Sequence, residues 1–165
     1  MTSPDSATVS PRPAAILMTL TYVTGGVGSF IGFYTLRMDP PSLTLSVILG
    51  VTIPGILSFF RHAVYNRSDA VRGGWDYGKR NNFQIEVGLA NLAWGVFGLL
   101  AVIFGWGLAA MAAAYLVSGL YFAAVTVFIV VSGDLKDRKV GGLIGIATWA
   151  ALCLILGFMG MAAAG

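Results

Sequence analysis

Five long apolar runs, separated by short polar stretches, make up most of this chain. They fall at 14–36, 43–60, 83–104, 108–131 and 140–161. A helix that crosses a hydrocarbon core about 30 Å thick needs roughly 20 mainly apolar residues. Four runs meet that length easily. The second is the shortest and carries Pro54-Gly55 at its middle. The pattern therefore predicts an all-α fold, a polytopic transmembrane bundle of five helices. The alternative is four crossings with a re-entrant second segment. Five is favoured, because neighbouring groups in a membrane bundle satisfy the backbone that a proline frees.

The ends and connections fit this division. Residues 1–13 are polar, contain Pro4, Pro11 and Pro13, and read as a disordered tail. The region 14–161 is then a single transmembrane domain. The first run is too long for the h-region of a signal peptide. Gly105-Trp106-Gly107 is so short a link that runs three and four must be antiparallel neighbours, with Trp106 at headgroup level. Pro40 and Pro41 stop one helix and let the next begin.

Composition settles the solvent. Hydrophobic residues are 57% of the chain and charged residues 10%, against about 25% charged in soluble domains; the mean hydropathy is +0.82. The net charge of +3 does not point to nucleic acid, because the basic residues cluster in two loops between apolar runs. With five crossings, nine of the ten Lys and Arg share one side and only Arg37 lies opposite. Lys and Arg favour the cytoplasmic side. The expectation is a multi-pass protein of the plasma membrane. Its loops 61–82 and 132–140 are cytoplasmic, its N-terminus is inside and its C-terminus outside. The four-crossing alternative keeps the same two loops inside, brings Arg37 to their side and moves the N-terminus with Arg12 to the other.

Helices in lipid pack through small residues that let backbones approach. Candidate packing positions are Gly28 and Gly32 in the first run, Gly88, Gly95 and Gly98 in the third, and Gly141 and Gly145 in the fifth. Two glycine patterns that mimic nucleotide loops are set aside. Gly26-Val27-Gly28 lies inside an apolar run, and Gly73 to Lys79 is followed by Arg80 where a hydroxyl would be needed. Cys153 is the only cysteine and His62 the only histidine, so no metal site and no cofactor is expected.

The polar residues at the junction of the second and third runs are the candidate chemistry: His62, Gln84, Glu86 and Asn91. Glu86 is the one carboxylate inside any run, about one turn in, and an acidic group there calls for a partner or a task. Arg61 and Arg80 are the expected partners. Gln84 follows Asn81 at capping-box spacing. His62 is placed to exchange a proton with Glu86, and Asn91 reads as interhelical glue. Glu86 sits about 140° around the helix from Asn91 at 100° per residue. Polar groups on two faces make the third helix the candidate for the centre of the bundle.

His62-Ala63-Val64-Tyr65, Gly74-Trp75 and Phe83-Gln84-Ile85-Glu86-Val87-Gly88-Leu89-Ala90-Asn91-Leu92 together resemble an uncharacterised family of small bacterial and archaeal integral membrane proteins. The resemblance covers roughly residues 60–100. It implies a membrane protein without an assigned activity and directs attention to His62, Gln84, Glu86 and Asn91.

Three functions are weighed. The leading one is a non-enzymatic membrane component or small subunit that packs against lipid, against copies of itself or within a larger membrane complex. The second is a small proton- or solute-conducting carrier using Glu86 and His62. A membrane enzyme ranks last, since no catalytic arrangement emerges from the sequence.

Overall fold

A computed structural model describes residues 9–74, 82–132 and 140–165. Among these residues the chain is helical, and five helices are long and apolar enough to cross a membrane. They are Arg12–Thr35, Thr44–Val64, Asn82–Ile103, Leu108–Val131 and Val140–Ala164, referred to as the first to fifth helices. A short helix, Asn66–Gly73, follows the second and ends at Gly74, whose φ of +75° suits glycine.

The second helix runs unbroken through Pro54 and is long and apolar enough to cross, in keeping with the five-helix expectation. Proline removes one backbone donor, and its ring presses on the carbonyl four residues earlier. The helix accommodates this with a widened π-turn at Ile48–Thr52, just before an α-helical segment beginning at Ile53. A second π-turn, Phe60–Val64, extends the helix past the end of its apolar run.

The centre of the bundle is this second helix rather than the third. It lies against the first helix on one side and the third on the other. The third helix has one buried face, made by Gln84, Gly88, Asn91, Gly95, Gly98 and Ala101. Its opposite face is exposed. The fourth and fifth helices pair closely along their length.

Small residues set these approaches. Gly28 meets the backbone of Gly50, whose Cα would lie 2.7 Å from an added Cβ. Gly55 meets Gly95 in the same way, with the Gly95 Cα at 2.9 Å. Gly32 faces Ser46 and Leu156, Gly88 faces Ala63, and Gly98 faces Val47. Gly145 faces Tyr22, whereas Gly141 has nothing within 4 Å. Tyr115 then ties three helices together. Its hydroxyl donates to the Ser46 carbonyl at 2.8 Å, and Ser46 Oγ donates to the Gly28 carbonyl at 2.9 Å.

The start of the first helix is pinned to the short helix that follows the second. Ser68 Oγ donates to the Ser10 carbonyl at 2.7 Å and accepts from the Ala14 amide at 3.2 Å. Helix therefore begins at Arg12, ahead of the apolar run. Residues 1–8 of the expected tail lie outside the described residues.

Candidate functional site

The polar groups converge where the second helix ends. Tyr65 breaks the helix with φ −98° and ψ 32°, and the short helix folds back beneath the bundle. The Asn66 side chain donates to the Ala63 carbonyl at 3.1 Å and so covers the end of the second helix. This turn carries Asp69 inward, where it is fully buried.

An ionised carboxylate is expensive to bury unless charges and donors surround it. Asp69 has four neighbours that supply them. Arg72, one turn along the short helix, donates twice to Oδ1, from Nη2 at 2.9 Å and from Nε at 3.1 Å. Gln84, at the start of the third helix, donates to Oδ2 at 3.1 Å and to the Asn66 carbonyl at 3.1 Å. His62 Nδ1 stands 2.9 Å from Oδ2, off the direction of an aligned hydrogen bond. Arg61 Nε is 3.9 Å from Oδ1, a charge contact without a hydrogen bond. Burial pushes the Asp69 carboxyl up. Contact with His62 and the nearby guanidiniums outweigh burial and hold it at about 2, against an ordinary 3.8.

The same contacts assign the state of the histidine. Arg61 Nη2 lies 2.7 Å from His62 Nε2. A guanidinium can only donate, so Nε2 accepts and the ring is neutral with its proton on Nδ1, toward Asp69. One carboxylate, two guanidiniums and a neutral imidazole leave the cluster with a net positive charge.

The four residues singled out in the sequence divide between three places. His62 and Gln84 meet at Asp69. Glu86 is on the outer face of the third helix, in an exposed row with Phe83, Leu89, Ala93 and Val96. Arg61, one of its expected partners, is turned to Asp69 and His62; Arg80 and Asn81 lie outside the described residues, as do Trp75, Tyr77 and the loop at 133–139. Asn91 is deeper, where Nδ2 donates to the Val87 carbonyl at 2.7 Å. It borders a cavity of about 20 Å³ that Thr21, Ser58, Trp94, Ser118 and Trp149 also line. That is room for a single water.

Asp69 is the residue that sequence reasoning missed. The signal was present in Arg61-His62 before it and Arg72 three positions after it, a spacing that pairs charges on a helix. It was obscured because 61–82 read as a loop.

A family model matches residues 37–164, and the chain belongs to that family, described as a family of unknown function (DUF6790). No curated protein and no solved structure matches the chain. The family match extends well beyond the stretch at 60–100 on which the resemblance rested.

Proposed function

We propose that this member of the DUF6790 family is a non-enzymatic, multi-pass component of the cell membrane whose cytoplasmic end is a proton-operated ionic latch. The observation that carries this reading is the pair of contacts on His62: Nδ1 against Asp69 and Nε2 accepting from Arg61. A second proton could enter the ring only at Nε2. It would set donor against donor and positive charge against positive charge, and Arg61 would have to leave.

Every group around the latch is affected by that step. Asp69 and Arg72 face it from the short helix and Gln84 from the third helix. Tyr22 on the first helix and Tyr121 on the fourth lie within electrostatic reach of Arg61. Acidification thus loosens the short helix and the packing of three neighbouring helices together. In this reading loops 61–82 and 132–140 are cytoplasmic and the C-terminus is outside.

The test is hydrogen exchange across residues 60–73 of protein in liposomes, corrected for intrinsic rates, from neutral to mildly acidic pH. The segment should lose protection on acidification in the natural protein, and His62→Gln should abolish the pH response. Exchange that is independent of pH in the natural protein would sink the latch.

A second reading, a carrier for protons, is favoured by one observation. Ser58, one turn below His62 on the second helix, lines the water-sized cavity with Asn91. Proton flux in liposomes that disappears with His62→Gln would select it. A stoichiometric partner retained in mild detergent would select a subunit of a complex.

A further inference from the structure

A groove of about 310 Å³ opens beside the latch, at the end of the second helix, and the latch does not use it. Its lining is apolar at Val9, Pro13, Val64 and Tyr65. It also carries Arg67, with Asn66 and Ser68 beside it. Arg67 is exposed, and among the described residues no carboxylate pairs with it. The acid on the same short helix, Asp69, is buried and engaged by His62, Arg72 and Gln84. The groove therefore offers both a free cation and apolar surface.

Below it the second helix continues the apolar surface outward, with Phe60 and Val64 both exposed. Tyr65 is also exposed, and at a helix end its ring suits the headgroup level. A soluble anion would satisfy Arg67 and leave the apolar surface wet. An amphiphile with an anionic head and an acyl chain satisfies both. Basic groups at the end of a membrane helix attract anionic lipids, each contributing about 1 kcal/mol near the surface.

We propose that this groove binds the headgroup of an anionic phospholipid, its phosphate on Arg67 and its chain along Val64 and Phe60. The site lies next to the latch and is independent of it: its occupant is recognised without His62.

The experiment is native mass spectrometry of the detergent-purified full chain, supplied with phosphatidylglycerol and phosphatidylcholine in equal amounts. The natural protein should retain phosphatidylglycerol in preference. Arg67→Gln should weaken that retention about fivefold, the equivalent of ~1 kcal/mol for one basic residue. Arg37→Gln, at the other end of the bundle, should leave it unchanged. Equal retention of the two lipids would overturn the proposal, and so would an Arg67→Gln protein that retains phosphatidylglycerol as before. If deleting residues 1–8 raises retention severalfold while Arg67→Gln has no effect, the groove belongs to the chain's own tail and the proposal also fails.

Discussion

Replacing Asp69 by Asn tests whether the buried carboxylate holds this end of the bundle together. The amide keeps the size and removes the charge that Arg61 and Arg72 face. The two guanidiniums would then be left against each other, with Arg61 mostly buried. Removing one partner of a buried ion pair costs about 3–5 kcal/mol. The lower end applies here, because Arg72 retains some water contact at 26% exposure. The carboxyl's own titration gives a second measure. Its folded-state pKa is about 2, against 3.8 unperturbed, which at ~1.4 kcal/mol per unit amounts to about 2 kcal/mol. The sign follows from the direction of that shift. A depressed pKa stabilises the fold fully above about 3.8, and the contribution is lost as pH falls through about 2. Unfolding from mixed micelles by a denaturing detergent should show Asp69→Asn less stable by about 3 kcal/mol at neutral pH. The natural protein should lose about 2 kcal/mol across the acid range, a loss the variant lacks. A variant within about 1 kcal/mol of the natural protein at neutral pH, with the same acid slope, would refute the account of the site.

Four further substitutions test the packing and the outer face, all by the same unfolding measurement. Gly28→Val forces the first and second helices apart at their backbone contact and should cost about 1–3 kcal/mol, whereas Gly141→Ala, in open space, should stay within about 0.5 kcal/mol; equal effects would deny that contact. Tyr115→Phe removes the hydroxyl that joins the fourth helix to Ser46 and should cost about 1 kcal/mol. No loss would mean the bond has no net weight. Glu86→Gln should leave stability unchanged, since Glu86 is exposed on the outer face; a large loss would place a partner on it.

The helices were legible because their signal is length and hydrophobicity, which need no knowledge of neighbours. The run at 83–104 became the helix Asn82–Ile103, and Gly28 and Gly95 lie where a neighbouring backbone comes close. What escaped the sequence was direction. Glu86 drew attention as the acid inside a run, and helical spacing gave its angle from Asn91. Spacing alone does not say which of two faces points out. The third helix therefore looked central when the second is. Asp69 escaped for a different reason. It stands outside every apolar run, so periodicity is silent on whether the chain there trails into solvent or folds back. Folding back depends on Tyr65 breaking the helix and on Gln84, eighteen residues beyond Asn66, accepting a place beneath it.

The two widened turns of the second helix carry a consequence for how this family can vary. Each π-turn holds one residue more than an α-turn would, and the chain beyond it is turned back by about 100°. The side chains at 58 and 62 face inward only because an extra residue is taken up between 48 and 52. Deleting one residue there would restore an ordinary helix, still apolar and still long enough to cross. It would also swing His62 away from Asp69 without touching either. Relatives that keep the latch should therefore conserve the number of residues between Ser46 and His62 more strictly than their identity.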